Sequence, residues 1–523
     1  MSLGQSGAAP DRFYITTAID YANGDPHLGH AFEKIGADAI ARYRRLCGDD
    51  VEFLMGMDEH GQKVAQTAAE RGLEPQALVD IVADEFQNIW TRLGISHDHF
   101  VRTTDERHKR GVRALIERIF ERNPDDFYER SYEGWYCVGC ELFKREAEID
   151  DGRCVLHPTR ELQWTEERNW FFRLTRYDSF LRELFASRPD FLLPESRRNE
   201  ILGLLESGLE DISVTRSRLD WAIPFPRPTS TGETQGTWVW FDALPNYLTA
   251  TGYPDEGYET LWPARLHVIG KDITRLHCVI WPAMLQSAGI SLPHAVWAHG
   301  FVTFDGERFS KSAGVKLELM EAIDRHGPDA FRYFLLREVP WDGDGGFSYD
   351  RFDDRYTAEL ANDLGNLASR SLAMVTRYRD GRVPHASRTD LDQFSDEAVD
   401  RYADQMNRLL LHEGAAAAFS MISEANSYIV QRAPWKIAKE EARSDELDAV
   451  LASLVRVLGI AAVLLSPFMP EKMQSLWQRL GSPGAMPRLD RLKELDPGGW
   501  QASQGEPLFP RAELATAGST ASG

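Results

Sequence analysis

The sequence predicts an α/β protein: a doubly wound parallel sheet, split by an inserted segment and followed by an all-α helical bundle. Three observations predict it. Near the start, short apolar runs alternate with stretches of helical periodicity, the pattern of parallel βαβ units. Around Asn123 the alternation stops, and an aromatic-rich stretch with a Cys/His cluster intervenes before strand-like runs resume. From about Tyr356 to Leu480, strand signals are few and helical spacing dominates.

Phe13 to Ile19 is a short apolar, threonine-containing run that reads as the first strand. The turn-rich YANGDPHLGH, Tyr21 to His30, follows. Phe32, Ile35, Ala39, Ile40, Tyr43 and Leu46 then recur at helical spacing. Val51 to Met57 reads as a second strand, a helical stretch begins at Gln62, and Phe100 to Thr103 reads as a third strand. Such alternation gives a Rossmann-like sheet. After the interruption, Thr237 to Phe241, Leu266 to Ile269 and Ala295 to Phe304 are expected to complete it. The expected divisions are a disordered leader or expression scar at 1–11, the first half of the sheet at 12–123 and the insertion at 124–235. The second half follows at 236–304, then a region with a basic loop at 305–355, the helical domain at 356–510 and a disordered tail at 511–523.

Composition bounds the function classes. A chain of 523 residues exceeds what one hydrophobic core supports. Its 43% hydrophobic and 27% charged content is that of an ordinary soluble protein. The most apolar run, Val457 to Phe468, is too short to span a bilayer and reads as a buried helix, so no membrane partner is expected. The first residues lack the basic-then-apolar pattern of a secretory signal. Five cysteines do not make a disulfide framework, and the expected location is the cytoplasm. The net charge of −22 by itself argues against a nucleic-acid partner. Local basic patches can still hold RNA, and an acidic bulk suppresses nonspecific binding.

Three motifs carry chemistry. His27-Leu28-Gly29-His30 lies between the first strand and the first helix, where unpaired N–H groups and the helix dipole attract anions. Gly29 allows a nucleotide close to the backbone, and the two imidazoles can donate to phosphate oxygens as charge builds. Arg308-Phe309-Ser310-Lys311-Ser312-Ala313-Gly314 follows a strand and a turn at Asp305-Gly306; its Lys311 can place an ammonium on a phosphate. Cys137-x2-Cys140, thirteen residues, then Cys154-x2-His157 sets four ligands at zinc spacing. Four protein ligands leave no open position, so the Zn2+ of this knuckle is expected to be structural. A weaker signal is Gly270-Lys271-Asp272 after a predicted strand: Gly270 suits close approach of adenine, and Asp272 can accept from ribose hydroxyls.

The first two motifs together resemble the signatures of the class I aminoacyl-tRNA synthetases, except that Arg308 and Phe309 stand where that family has lysine and methionine. TAIDYANGDPHLGH, GMDEHGQK, TWVWFDALPNY, HVIGKDITRLHCVIWPAML and HGFVTF narrow the resemblance to the methionyl-tRNA synthetase family over roughly residues 12 to 480. The resemblance implies that His27, His30 and Lys311 are catalytic, with ATP bound at Gly29, Gly270 and Asp272 and accompanied by Mg2+. It places Tyr21, Trp240, Tyr247, His277 and Trp281 around a methionine side chain, with Ile19 and Ile273 as apolar walls. Sulfur–aromatic contacts suit a thioether, and Asp58 is expected to accept from the ammonium. His277 and Trp281 are four apart on a predicted helix. In the helical domain the resemblance carries anticodon reading to Asn366, Arg370 and Trp435, by stacking and base-edge hydrogen bonds. It also puts Arg216 near the site, in no stated role. The implied activity is ligation of L-methionine to tRNA(Met) through an adenylate, by a monomer. The alternative is a catalytically inactive tRNA-binding paralogue, favoured only by Arg308-Phe309. A synthetase for leucine, isoleucine or valine would need a large editing insertion, and a small nucleotidyltransferase would leave the knuckle and the helical domain unexplained.

Overall fold

The computed structural model describes residues 11–138, 142–144, 146–155, 157–217, 219–304, 307–308 and 318–511. Its first strands are β1 (Arg12–Thr17), β2 (Asp20–Tyr21), β3 (Asp50–Asp58) and β4 (His99–Arg102). β1 lies between β3 and the strand Leu266–Gly270, parallel to both. β4 extends the sheet beyond β3, and β2 pairs with the last two residues of β3. On the other side Val296–His299 and then Leu192–Leu193 complete a seven-stranded sheet, every pairing in it parallel. The chain leaves β1 toward β3 and later returns on β1's opposite side, so the switch in strand order falls between β1 and Leu266–Gly270. In such sheets ligands bind at the carboxyl ends of the strands at that point.

Helix α1 (Leu28–Cys47) crosses from β2 to β3 and packs on both β1 and β3. Its buried face is not purely apolar: Glu33, Lys34, Asp38 and Arg44 are buried beside Phe32, Ile35 and Ile40. Gly36 is a glycine of necessity, because a Cβ there would sit 2.0 Å from the Trp341 ring.

The sequence reading is corrected in four places. Thr237 to Phe241 is not a strand of the main sheet. Gly236–Thr237 pairs antiparallel with Thr215–Arg216, and Val239–Ala243 is a short helix. An unbroken apolar run fits a buried strand or a buried helix equally well; here Trp238, Phe241, Leu244, Tyr247 and Leu248 are buried at helical spacing. Ala295 to Phe304 is two strands, because at Gly300 the backbone passes so close to Gly343 that a Cβ would lie 2.0 Å from its carbonyl oxygen. The second piece, Val302–Phe304, joins Gly345–Phe347 and Glu307–Arg308 in a separate three-stranded sheet. The inserted stretch is not wholly outside the main sheet, since Leu192–Leu193 belongs to it. Its own four-stranded antiparallel sheet is built on Phe127–Cys137 and Gln163–Phe172. Finally, the apolar run around Val457 to Phe468 is the end of a longer helix, Ser444–Leu465, which by length and composition could cross a membrane. It is instead the buried central helix of the bundle, packed by Asn366–Arg379, Asp390–Asn407, Leu411–Arg432 and Pro470–Arg479.

One buried ion pair fastens the sheet to the bundle. Arg332, on the helix Pro328–Glu338, donates from Nη2 to Asp38 Oδ2 of α1 at 2.7 Å. Its other donors reach the carbonyls of Leu93 (3.2 Å), Pro467 (2.8 Å) and Phe468 (3.1 Å). Asp38 also accepts from Arg42 and from the N–H and hydroxyl of Ser96. Burial raises the Asp38 carboxyl, but Arg332, Arg42 and Ser96 outweigh it and hold it at about 2. Arg332→Ala strands a buried carboxylate and is expected to cost about 3–5 kcal/mol in urea unfolding. Because Asp38 is depressed, its contribution is present above the ordinary carboxylate value of 3.8 and is lost as pH falls toward about 2. Asp38→Asn should flatten the acid limb of the stability profile over that window.

Candidate functional site

The carboxyl ends of β1, β3, Leu266–Gly270 and Val296–His299 converge on one side of the sheet, and most of the expected ligand-binding residues stand there. The element expected to face phosphate is the start of α1. His27 is its N-cap, and the two histidines cap the helix reciprocally. The His27 N–H donates to His30 Nδ1 at 3.3 Å, and the His30 N–H donates to His27 Nδ1 at 3.4 Å. The rings stack with centroids 3.6 Å apart. Each Nδ1 is therefore an acceptor, which in a neutral imidazole leaves the proton on Nε2. The helix end thus presents two Nε2–H donors beside its own backbone N–H groups, a set suited to phosphate oxygens. Gly29 has a reason the sequence did not give: a Cβ there would press on the His27 ring at 3.1 Å.

On the neighbouring strand, Gly270 ends Leu266–Gly270 and Lys271–Ile273 forms a single turn. The Asp272 carboxylate folds back over the strand end, where a Cβ on Gly270 would meet it at 2.7 Å. Lys271 turns away to an ion pair with Asp344, whose Oδ1 also accepts from the Phe301 N–H at 2.8 Å. Residues 309–317, which include Lys311 and Phe309, lie outside the described residues. The strand leading into them, Glu307–Arg308, is anchored on Val302–Phe304.

The residues expected around a methionine side chain form a second group. Tyr21 and Asp58 are direct neighbours in the β2–β3 pairing. Ile19 packs against Gly56 of β3, where a Cβ would also strike the Val101 carbonyl at 2.2 Å. Tyr21, Trp240 and Ile273 are partly exposed on the surface of one apolar cluster, and Tyr247, His277 and Trp281 lie buried in or against it. The Tyr247 ring is 5.6 Å from His277 and 6.3 Å from Trp281. His277 lies in a π-helical turn, Leu276–Ile280, rather than in the regular helix expected, and Trp281 opens the helix Trp281–Ala288. His277 Nδ1 donates to the Ile273 carbonyl at 3.0 Å, so its Nε2 accepts from the Tyr247 hydroxyl at 2.7 Å. Burial lowers His277 to about 4 and raises Tyr247. Both are uncharged at neutral pH, the wall an uncharged thioether requires.

Behind this wall is a network that sequence reasoning missed. Asp242 accepts from His60 Nδ1 at 2.6 Å and from His108 Nε2 at 2.9 Å, and the other nitrogen of His108 meets the Thr249 hydroxyl at 2.8 Å. All four side chains are buried. Burial pushes the Asp242 carboxyl up, but the two histidines hold it below its ordinary value. The network ties the segment after Asp58 to the helix carrying Trp240. Its only sequence signal was that His60 and Asp242 fall inside the conspicuous GMDEHGQK and TWVWFDALPNY blocks; their pairing across 182 positions was not readable.

Arg216 is buried, with Nη1 donating to the carbonyls of Ser213 and Thr215 and to the Ser213 hydroxyl. With Arg130, Lys144, Arg275, Phe171 and Trp238 it lines a 560 Å³ cavity between the inserted sheet and the start of the His277 segment. Of the expected metal ligands, Cys137 and Cys154 are both buried in one small cluster with Leu162. His157 pairs with Cys154 through the backbone, and Cys140 lies outside the described residues. Among the described residues, no group of three or more His, Cys, Asp or Glu side chains is placed to hold a metal ion. Asn366 and Arg370 are one turn apart at the start of Asn366–Arg379, and Trp435, 41% exposed, sits on the short helix Pro434–Ile437. Both helices pack on Ser444–Leu465.

Residues 13–155 and 145–372 match the family described as tRNA synthetases class I (M), and residues 380–502 match the anticodon binding domain of methionyl tRNA ligase. The methionine–tRNA ligase of Caldanaerobacter subterraneus subsp. tengcongensis is 40% identical over 511 residues, covering 96% of this chain and 79% of that protein. That of Brucella suis biovar 1 is 40% identical over 514 residues, covering 96% and 98%. The Mycobacterium tuberculosis methionyl-tRNA synthetase in complex with methionyl-adenylate superposes with a TM-score of 0.90 at 40% identity, covering 96% of this chain and all of that one. By sequence and by fold, the chain belongs to the class I methionyl-tRNA synthetases.

Proposed function

We propose that this protein is a methionine–tRNA ligase, which joins L-methionine to tRNA(Met) through an enzyme-bound methionyl-adenylate with release of diphosphate and AMP. The observation that carries the reading is the meeting, at one switch point of the sheet, of a histidine-capped helix end and an uncharged aromatic pocket flanked by a carboxylate. The first can hold phosphates and the second a thioether amino acid. Adenylate formation joins those two ligands.

In this reading the methionine carboxylate, ionised at neutral pH, attacks the α-phosphate of ATP in line. The step needs no general base, so catalysis is positioning and charge stabilisation. His27 and His30 donate from Nε2 to the phosphate oxygens, and Lys311 adds an ammonium. Gly270 and Asp272 take the adenosine. Asp58 accepts from the substrate ammonium, while Ile19, Tyr21, Trp240, Tyr247, Ile273, His277 and Trp281 enclose the side chain. Mg2+ accompanies ATP and neutralises phosphate charge. A ribose hydroxyl at the tRNA 3′ end then attacks the adenylate carbonyl. Asn366, Arg370 and Trp435 read the anticodon, and Trp435 is exposed enough to stack on a splayed base. We also assign one structural zinc to Cys137, Cys140, Cys154 and His157. The clustering of two buried cysteines supports it, since two sulfurs held together supply half of a tetrahedral zinc site. We further propose that the ligase acts as a cytoplasmic monomer, with the inserted segment at 124–235, which lends Leu192–Leu193 to the main sheet, and the helical domain at 356–510 as its further units.

ATP–diphosphate exchange measured across the twenty amino acids tests the activity. Methionine alone is expected to stimulate it, and Lys311→Ala to abolish that stimulation; exchange with no amino acid would favour the inactive paralogue. Trp435→Ala should leave exchange unchanged but lower kcat/KM for tRNA about 5- to 150-fold, the equivalent of about 1–3 kcal/mol of stacking. Metal analysis should find one zinc per chain, reduced in Cys137→Ser and Cys154→Ser; a zinc-free active protein would dismiss the knuckle.

A further inference from the structure

Lys34, one turn beyond His30 on α1, is buried, and its ammonium is shared among three oxygens. These are the Ala18 carbonyl at 2.6 Å, Asp20 Oδ1 at 2.9 Å and Glu33 Oε1 at 2.8 Å. The other Glu33 oxygen accepts from His299 Nε2 at 3.1 Å, while His299 Nδ1 faces the Gly300 carbonyl at 2.7 Å. Both His299 nitrogens thus face oxygens. The four side chains are buried. The His299 ring is stacked 5.3 Å from Trp341, the residue that also fills the space over Gly36.

These groups come from three segments with different expected tasks. Ala18 and Asp20 bracket Ile19 and precede Tyr21, on the methionine side. Glu33 and Lys34 stand just behind the histidine-capped end of α1, on the phosphate side. His299 ends its strand and leads through Gly300 to Val302–Phe304, the foundation of the segment that holds Lys311. Burying Asp20, Glu33, Lys34 and His299 together is costly, and an apolar set of equal volume would often be at least as stable. Stability therefore does not account for the arrangement, whereas fixed spacing between three ligand-bearing segments does.

We infer that Asp20, Glu33, Lys34 and His299 are positioning residues for adenylate formation, an ionic chain that sets methionine strand, phosphate helix and lysine-segment base at reacting distance. The inference rests on the functional reading above. Burial raises Asp20 to about 7, against the pull of Lys34 and with the help of Glu33. The charged groups facing Asp20 are these two, both from α1; its partner on β3, Met57, carries no charge. Near neutral pH, then, Asp20 gains or loses the proton that decides how Lys34 divides its hydrogen bonds.

Asp20→Asn tests this, because it keeps the shape and removes one charge. The expected result is a kcat for methionine-dependent diphosphate exchange lowered about 10- to 100-fold, the scale of a misplacement of about 1 Å. The Kd for methionine without ATP, read by tryptophan fluorescence, should stay within about twofold. The unfolding midpoint should not fall, and a wild-type rise of kcat through pH 7 should be absent from the variant. Glu33→Gln breaks the chain at its other end and should give the same kcat-only loss, which covers the case of an unstable Asp20→Asn. Unchanged kcat and pH profile in both variants would overturn the inference. So would a loss of activity that only tracks a lower unfolding midpoint, which marks a structural role. A wild-type protein that exchanges with no amino acid would overturn the functional reading itself, and the positioning role with it.

Discussion

The Asp38–Arg332 pair is the constraint on which the rest of the architecture depends. Neither side chain touches solvent, and each is satisfied several times over. Such a pair adds little net stability compared with an apolar replacement, but once present it cannot be half removed. Arg332 reaches carbonyls at Leu93, Pro467 and Phe468, so a single guanidinium fixes α1, the turn before β4 and the exit of the central bundle helix relative to one another. Arg332 is thus the joint between the parallel sheet and the helical bundle.

From that joint, α1 works in two directions. Its middle is locked by Asp38 and by Trp341 against Gly36, while its first turn is left at the surface with two stacked imidazoles. The histidines satisfy their own helix end through Nδ1, which in a neutral ring leaves the proton on Nε2. The arrangement needs no ligand to hold it, as preorganised electrostatic stabilisation requires. The aromatic pocket proposed for methionine is fixed in the same way. Burial keeps Tyr247 and His277 neutral, and the hydrogen bond between them fixes the tautomer, so the enclosing wall has neither charge nor freedom to reorient.

The chain carries a net charge of −22, and the cavity between the inserted sheet and the His277 segment is lined by both signs: Arg130, Lys144, Arg216 and Arg275 stand there with Glu148, Glu210 and Asp211. Mixed charges at close quarters select a ligand by where its charges fall rather than by its net charge.

By itself the sequence determined the class of fold, strands β1, β3 and β4, the HLGH helix end and the family, because each is written in local periodicity or in a contiguous motif, whereas the two-residue β2 is too short to carry such a mark. It placed Tyr21 and Asp58 in one pocket only through resemblance; the β2–β3 register makes them neighbours. It misread TWVWFDA as a strand, since a short apolar run has no periodicity that separates strand from buried helix. It could not split Ala295 to Phe304 at Gly300, because the obstacle there is the carbonyl of Gly343, 43 positions away. What only the tertiary structure decided is the pairing of buried polar groups: Asp38 with Arg332, Asp242 with His60 and His108, Lys34 with Asp20, and Glu33 with His299. A buried charge is tolerated only where a partner meets it, and partners drawn from different strands and helices leave no periodic mark on the chain.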